Sequence, residues 1–256
     1  MFDDPLMLTK LPDPIRSKGF VCLKGTEYPT TTQMPDCGSV FMAKAFAERG
    51  ARVGIADLDE KKAATLAAAL PGDGHFGCFL DVRREDSCAR AVATALGAGG
   101  RLDVLVNCAG VFYLGPAATL AVTEFEESLA TNTTGVFLMS RAAAKVMVPQ
   151  GGGRVITLAS VSSTVANPNY AAYATSKSAL IGLTRVLALE FARANVTVNA
   201  IGPAMIPTPM SEKFLASETN AAYARGKIPM GRLGKPEDLI GAAILLASAA
   251  GDFITG

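Results

Sequence analysis

The sequence predicts an α/β fold in which a parallel sheet is doubly wound, with helices on both of its faces. From about residue 40, short apolar segments alternate with alanine-rich segments long enough to form helices. Strands that alternate with such helices form parallel βαβ units, and the resulting sheet is buried on both sides. No linker or internal repeat interrupts the pattern. We therefore expect a single domain over residues 1–256, with an irregular extension over residues 1–18.

Each helix and strand is predicted by its own local pattern. Gly50 ends the first helix and the pair Pro71-Gly72 ends the second, as glycine and proline commonly do. The strands are short apolar runs rich in valine, isoleucine and leucine. In chain order, the helices are expected at 39–50, 60–70, 85–96, 122–148, 170–194 and 236–250, and the strands at 52–56, 75–80, 102–107, 154–159 and 196–201.

The position of the first strand has two interpretations. The segment YPTTTQ (28–33) precedes the first helix, but its Pro29 suits a central strand poorly. The alternative places the strand at FVCLK (20–24), followed by Gly25. In that case an unusually long loop, from Gly25 to Gly38, joins the strand to the helix.

The composition excludes several classes of protein. The chain has 24 basic and 23 acidic residues, and a net charge of +1 gives no basic surface for nucleic acid or an anionic membrane. The acidic N-terminal residues do not resemble a signal peptide, and no apolar run has the length of a membrane span. The five cysteines form no CxxC pair, which favours a reducing, cytoplasmic setting. The single histidine, His75, removes most Ser-His-Asp and histidine-metal schemes, and we expect no metal site.

Four polar residues have the chemistry of an active site. Ligands of a doubly wound sheet bind beyond the carboxyl ends of its strands, and Ser160 directly follows the strand at 154–159. Tyr173 and Lys177 are four residues apart and therefore share one helix face. An ammonium group near a phenol favours the phenolate and lowers the phenol's pKa from its usual value of about 10. Asn132 lies in the middle of a predicted helix, where an amide side chain needs a partner.

At these residues the sequence resembles the classical short-chain dehydrogenase/reductase family, including its 3-oxoacyl reductases. The resemblance extends over residues 39–256 and rests on NCAG (107–110), NTTG (132–135), a serine thirteen residues before YATSK (173–177), and PMGRLGKPEDL (229–239). It implies a Rossmann-type fold and an NAD-dependent oxidoreductase that interconverts a secondary alcohol and a ketone. It also implies a homodimer or a homotetramer.

The resemblance implies a role for each of the four residues. Tyr173 is the general acid/base for the substrate oxygen, and Ser160 orients and polarises the carbonyl or alcohol. Lys177 tunes Tyr173 and holds the ribose hydroxyls of the nicotinamide. Asn132 supports a water molecule that relays protons near Lys177.

The resemblance also implies binding sites for the cofactor and the substrate. Asp57 ends the second strand, where a carboxylate binds a ribose 2′-hydroxyl and repels a 2′-phosphate, so we expect NAD rather than NADP. The same carboxylate would also suit the cap of the next helix. The expected cofactor-binding residues are Gly25, Gly38, Ser39, Asp57, Asp81, Val82, Asn107, Ala109, Gly110, Tyr173, Lys177, Pro203, Ile206 and Thr208. The expected substrate-facing residues are Ser162, Asn167, Tyr170 and Met205, with a lid-like stretch at 209–227.

The sequence departs from the family pattern in three places. The family's glycine-rich loop, TGxxxGxG, is absent, since its glycines align near Gln33, Cys37 and Ser39. Ala204 follows Pro203 where the family has glycine, and alanine disfavours a positive φ. The last strand of the sheet is expected to be missing, because the chain stops at ITG (254–256). The altered loop leaves an alternative open: a catalytically silent binding or scaffold protein with impaired dinucleotide binding.

Overall fold

The structure is a computed structural model that describes residues 20–23, 38–208 and 211–256. In these ranges six parallel strands form one sheet in the order β3-β2-β1-β4-β5-β6, with its sequence order reversing between β1 and β4. This is the doubly wound order of a Rossmann-type sheet, so the predicted fold class is confirmed. The strands are β1 (Phe20–Leu23), β2 (Val53–Asp57), β3 (Phe76–Phe79), β4 (Val104–Asn107), β5 (Gly153–Leu158) and β6 (Val196–Ile201).

β1 lies at the centre of the sheet. Phe20 is in register with Val53 of β2 on one side and with Val104 of β4 on the other. This pairing confirms the interpretation that places the first strand at residues 20–24 rather than at 28–33. Gly25, the predicted extension at 1–18 and most of the altered loop lie outside the described residues.

Helices cover both faces of the sheet. α3, α5 and α6 pack on one face, and α1, α2 and α9 pack on the other. The residues of β4 are apolar without alternation because both faces of the strand are buried. Leu105 packs in the core beneath α3, α5 and α6, whereas Val104 and Val106 pack in the core beneath α1, α2 and α9. The helices are α1 (Gly38–Ala47), α2 (Glu60–Ala68), α3 (Glu85–Gly99), α4 (Val122–Leu129), α5 (Gly135–Gln150), α6 (Ala171–Phe191), α7 (Glu212–Leu215), α8 (Glu218–Lys227) and α9 (Ile240–Ala247).

Residues 122–150 are helical throughout, as predicted for 122–148, but a π-helical segment, Ala130–Thr134, links α4 to α5. Directly after it, Gly135 lies so close to Val82 that a Cβ atom would come within 2.7 Å of the valine side chain. The predicted lid at 209–227 contains two short helices, α7 and α8, which the sequence pattern did not indicate.

The connections at the amino ends of the strands differ from those at the carboxyl ends. The turns that lead from α3 to β4 and from α5 to β5 contain Gly100 and Gly151, whose φ angles are +75° and +81°. Such left-handed conformations favour glycine, which ends a helix without steric cost. These turns lie at the amino ends of the strands, on the edge opposite to the polar residues described below.

The last residues of the chain lie along β6. The Gly256 amide donates to the Val198 carbonyl over 2.9 Å, and the Val198 amide donates to the Thr255 hydroxyl over 3.0 Å. The described sheet has six strands, and this short pairing covers part of its outer edge, along β6. Among all the residues that the structure describes, no helix combines the length and apolarity needed to cross a membrane.

Candidate functional site

Tyr173 and Ser160 meet at the carboxyl edge of the sheet. Ser160 follows β5 in an extended conformation, and its hydroxyl oxygen accepts a hydrogen bond from the Ser162 amide over 3.1 Å. The same side chain interacts with Tyr173, in the first turn of α6, and this interaction lowers the pKa of the tyrosine. The structure therefore brings together two of the residues that the sequence analysis selected.

Lys177 lies one turn after Tyr173 and is buried. Its Nζ donates a hydrogen bond of 2.6 Å to the carbonyl of Leu158, at the end of β5, and lies 5.8 Å from the centre of the Tyr173 ring. Gly110 lies nearby: a Cβ atom there would be in ordinary contact with Nζ, at 3.8 Å, but crowded against the Asn132 Oδ1, at 3.1 Å. The ammonium group therefore lies near the Tyr173 ring, beside the end of β5 and the segment that follows β4.

The environment shifts the pKa of both groups. Withdrawal from water raises the pKa of Tyr173 to about 12, although its hydrogen bond with Ser160 opposes the rise. Burial also lowers the pKa of Lys177 to about 8, opposed by its electrostatic interaction with Cys108. The pKa of Tyr173 is therefore higher, not lower, than its usual value in the protein without a cofactor, because desolvation disfavours the charged form. The expectation that the Lys177 ammonium favours the phenolate stays a prediction.

Asn132 is fully buried in the π-helical segment and connects three parts of the site. Its Oδ1 accepts from the Val111 amide over 2.8 Å, and its Nδ2 donates to the Val111 carbonyl over 3.0 Å and to the Ser176 hydroxyl over 2.9 Å. Both amide hydrogens are thus used within the protein. Asn132 fixes the loop after β4 against α6, a structural role that its position in mid-helix did not reveal. π-Helical turns of this kind often occur at functional sites.

Asp57 and Asp81 lie at the exits of β2 and β3. The Asp57 carboxylate is buried, and its Oδ1 accepts a hydrogen bond of 3.0 Å from the Asp59 amide. Burial alone would raise the pKa of Asp81, but hydrogen bonds and charge from the Arg83 guanidinium outweigh burial and lower it. Asp81, Val82 and Leu58 line a small open hollow. Both predicted carboxylates therefore lie at the edge that the cofactor would occupy.

The NCAG segment contributes less side-chain chemistry than predicted. The Nδ2 of Asn107 donates to the hydroxyls of Ser140 on α5 and Thr157 on β5, so this side chain points into the core. This side chain is engaged within the protein, and its predicted contact with the cofactor stays a prediction. Ala109 is buried in the same core, whereas Gly110 lies beside Lys177 and Asn132.

α1 begins on the side of the sheet where β1 ends, at the carboxyl ends of the strands. Gly38 is the first residue of α1, and Ser39, which occupies one of the family's glycine positions, is buried. The free amides at a helix N-terminus favour phosphate groups. The remaining altered positions precede Gly38 and lie outside the described residues.

The segment after β6 lies against Ser160. The carbonyl of Pro203 accepts a hydrogen bond from the Val161 amide over 2.9 Å, and the carbonyl of Met205 accepts one from the Gly234 amide over the same distance. Among the described residues only Asn169 and Asn195 combine a side chain with a positive φ, so Ala204 adopts no such conformation. The expected strain at Ala204 is therefore absent. Thr208 is fixed by Ser211, whose hydroxyl accepts from its amide over 2.9 Å.

Aromatic rings surround Tyr173 on the substrate side. Its ring packs edge-to-face on Phe112, with 4.6 Å between the centres, and Tyr170 packs on Phe112 in the same manner at 5.5 Å. The Oδ1 of Asn167 accepts a hydrogen bond of 3.3 Å from the hydroxyl of Tyr223 on α8. The sequence analysis named neither Phe112 nor Tyr223. The only available signal for Phe112 was its position just after NCAG.

These residues fit a nicotinamide dinucleotide. Gly110 leaves space beside the buried ammonium of Lys177, and an acidic residue ends β2. The hollow beyond β3 extends the site along the sheet edge toward α4, since Glu127 is one of its lining residues. Lys177 and Asp57 have the donor and acceptor groups that ribose hydroxyls require. A parallel sheet in this order, with this polar edge, defines the class of Rossmann-type dinucleotide-binding oxidoreductases.

Comparison with known proteins agrees with this class. Residues 40–256 match a family model described as enoyl-(acyl carrier protein) reductase. D-threitol dehydrogenase from Mycolicibacterium smegmatis is 38% identical over 217 residues, covering 84% of this chain and 83% of that protein. The chain belongs to the short-chain dehydrogenase/reductase family.

Two solved structures illustrate the similarity in three dimensions. Gluconate 5-dehydrogenase from Burkholderia cenocepacia, in complex with NADP and tartrate, matches with a TM-score of 0.83 at 29% identity, covering 95% of this chain and 93% of that one. The 3-ketoacyl-(acyl-carrier-protein) reductase from Brucella melitensis, complexed with NADH, matches with a TM-score of 0.81 at 31% identity, covering 93% and 94%. Relatives of this fold thus include both NADP and NADH complexes.

Proposed function

We propose that the protein interconverts a secondary alcohol and a ketone with NAD, and that Tyr173 transfers the proton. The observation that carries this proposal is the placement of Ser160, directly after β5, together with Tyr173 and buried Lys177 one turn apart on α6, at the carboxyl ends of the strands. A bound nicotinamide supplies or accepts the hydride. Ser160 and Tyr173 both bind the substrate oxygen, so the proton and hydride transfers act on the same C–O bond.

The raised pKa of Tyr173 keeps its hydroxyl protonated at neutral pH, the form that ketone reduction requires. The hydroxyl donates this proton to the developing alkoxide, while Ser160 donates a hydrogen bond to the same oxygen. In the oxidative direction Tyr173 must act as a base. The Lys177 ammonium then stabilises the phenolate, and any further positive charge beside it lowers the pKa again.

Asp57 supports NAD as the cofactor. Its carboxylate is buried at the end of β2, where it can accept a hydrogen bond from a ribose 2′-hydroxyl. A 2′-phosphate at the same position would face a buried negative charge. The related complexes contain NADP in one case and NADH in the other, so the preference rests on Asp57.

The substrate is proposed to be a small polyol. Tyr170 offers a hydroxyl near Tyr173, and Phe112 packs against the Tyr173 ring. Ser162, whose amide bonds Ser160, and Asn167, which bonds Tyr223, offer further hydroxyl and amide groups. D-threitol dehydrogenase, the relative with 38% identity, acts on such a compound by its name. A screen of tetritols, pentitols and aldonates with NAD, monitored at the absorbance of NADH, tests this choice against 3-oxoacyl substrates.

The first experiment is a titration with NADH, monitored by the fluorescence of the nicotinamide, with NADPH in parallel. The chain has no tryptophan, so direct excitation of the cofactor is the suitable probe. We expect saturable binding, tighter for NADH than for NADPH. Tyr173→Phe should retain NADH binding but lose at least about a hundredfold in turnover, since it removes only the proton donor. Full turnover by this variant would refute the assignment of Tyr173.

A second candidate function is a catalytically silent binding protein. It is supported by the absence of glycine at Gln33, Cys37 and Ser39, because Cβ atoms crowd the closest approach of a pyrophosphate to the helix. This candidate requires that the folded protein bind neither NADH nor NADPH at millimolar concentration. The same titration therefore decides between the two functions.

The protein is also proposed to form a homodimer through α5 and α6. Val186 and Leu189 lie three residues apart on α6 and are exposed, Leu189 to 81%. Phe137 and Val148 on α5 are also exposed. Apolar side chains on long surface helices favour burial against a second subunit. Sedimentation of the purified protein measures its state directly.

A further inference from the structure

Three aromatic rings, those of Phe112, Tyr170 and Tyr173, form a cluster in which each ring contacts the other two. The centres of the Phe112 and Tyr173 rings lie 4.6 Å apart with their planes at 82°, and the Phe112 and Tyr170 rings lie 5.5 Å apart at 72°. The two tyrosine rings lie 6.3 Å apart at 75°. All three pairs are edge-to-face, a geometry that aromatic rings prefer over direct face-to-face stacking. The orientation of each ring in this aromatic cluster therefore depends on the other two.

The backbone that carries Phe112 is fixed on both sides of the residue. Before it, the amide and the carbonyl of Val111 both bond the buried side chain of Asn132, over 2.8 and 3.0 Å. After it, Gly115 pairs in an isolated β-bridge with Tyr170, the residue that directly precedes α6. The segment after β4 is thus attached both to the π-helical turn and to the start of α6, and it presents the Phe112 ring from a fixed position.

Tyr173 needs such support because its reacting atom lies at the far end of a long side chain. The first turn of α6 sets the position of its backbone, but side-chain torsions still decide where the hydroxyl lies. Ser160 interacts with the side chain of Tyr173, and Phe112 contacts its ring. A misplacement of about 1 Å at a reacting group can reduce a rate by roughly a hundredfold. A contact that fixes the ring therefore has a direct effect on the rate of proton transfer.

We propose that Phe112 is a positioning residue for the proton transfer: its ring orients the ring of Tyr173 so that the hydroxyl faces a substrate oxygen beside Ser160. This inference rests on the proposed function, because it assumes that Tyr173 transfers the proton. Phe112 acts through Tyr173, since its own side chain has no proton to exchange. The role requires an aromatic ring, because an aliphatic side chain offers no edge-to-face contact that would fix the orientation of its neighbour.

The test measures kcat and KM for the oxidation of D-threitol by NAD, or of the most rapidly oxidised compound in the screen described above. The concentration of folded, binding-competent protein is determined for each variant by NADH titration. Phe112→Leu keeps an apolar side chain but removes the ring. We expect kcat to fall by roughly ten- to thirtyfold, while KM and NADH binding change by less than about twofold. Phe112→Tyr keeps the ring and should restore kcat to within about threefold of wild type.

Phe191→Leu is the matched control, because Phe191 is also partly buried but lies at the opposite end of α6 from Tyr173. Its kcat should stay within about twofold of wild type. Fluorine NMR of protein labelled with 3-fluorotyrosine gives a second measurement that needs no substrate. The resonance of Tyr173 is the one that Tyr173→Phe removes. It should shift in Phe112→Leu, which lacks the neighbouring ring, and stay in place in Phe191→Leu.

Several results would overturn the inference. These are an unchanged kcat in Phe112→Leu, an equal loss in Phe191→Leu, and a loss that Phe112→Tyr does not restore. A rise in KM without a fall in kcat would place Phe112 in the substrate site instead, and an unmoved Tyr173 resonance would exclude the ring contact. If Phe112→Leu does not fold, Phe112→Met, which also lacks a ring, takes its place. Absence of turnover by the folded wild-type protein with every compound of the screen would refute the proposed function itself, and this inference with it.

Discussion

Replacing Asn132 with alanine should destabilise the protein strongly, independently of any effect on catalysis. The substitution removes three hydrogen bonds and leaves the Val111 amide, the Val111 carbonyl and the Ser176 hydroxyl without this partner. Asn132 is fully buried, so water cannot replace the amide without entering the core. The Ser176 hydroxyl still donates to the Tyr173 carbonyl, so its loss is the smallest of the three.

The expected magnitude follows from these contacts. A buried backbone group left without a partner costs about 1–3 kcal/mol, and there are two, at Val111. With a smaller loss at Ser176, the free energy of unfolding should fall by about 4 kcal/mol. This is a large fraction of the roughly 5–15 kcal/mol that stabilises a typical protein.

Urea denaturation, followed by far-UV circular dichroism, measures this change. With a slope of about 3 kcal/mol per molar urea, the midpoint should fall by more than roughly 1 M. Asn220→Ala is the matched control, because the Asn220 side chain makes one hydrogen bond, to the Phe214 carbonyl, and is partly exposed. We expect it to cost less than about 1 kcal/mol. A stability of Asn132→Ala within 1 kcal/mol of wild type would refute the structural role of Asn132.

Three further predictions test other features. Folded Lys177 loses its proton near pH 8 and the unfolded residue near 10.5, so this group adds stability as pH rises through that window. Between pH 7.5 and 9.5, the free energy of unfolding of wild type should therefore rise by about 2 kcal/mol relative to that of Lys177→Met, as measured by urea titrations. Gly77→Ala should prevent folding, because its Cβ would lie 2.2 Å from the α2 backbone; Gly97→Ala, which meets nothing, should instead raise the free energy of unfolding by up to about 1 kcal/mol. Leu189→Glu should shift a dimer to monomer in sedimentation; an unchanged mass would exclude α6 as the interface.

The parts of the fold that the sequence predicted are those encoded locally. The run FVCLK formed β1, and the four-residue spacing of Tyr173 and Lys177 placed both on one helix face because helical periodicity alone decides it. The features that were missed depend on contacts between distant residues. The π-helical turn between α4 and α5 contains Asn132, whose side chain forms hydrogen bonds with Val111, 21 residues earlier. The ion pair between Arg83 and Glu127 likewise joins residues that no local pattern connects.

The pKa of Tyr173 shows a different limit. Its neighbour Lys177 was correctly identified, but the sequence contains no measure of how far each group is removed from water. That quantity depends on Leu158, Gly110 and the surrounding rings, and it reversed the expected shift. Counting charges along a helix is therefore insufficient when the same helix face is buried.

The separation of the two sheet edges has a practical consequence for protein engineering. The proposed chemistry lies on connections at the carboxyl ends of the strands, whereas the glycine-containing turns after α3 and α5 lie at the other end. A label, an affinity tag or new chain termini could therefore be introduced at those turns, where the backbone is exposed at Gly100 and Gly151, without contact with the reacting groups. Conversely, loops after β4, β5 and β6 could be exchanged to alter the range of substrates while the turns that set the sheet's connectivity stay in place.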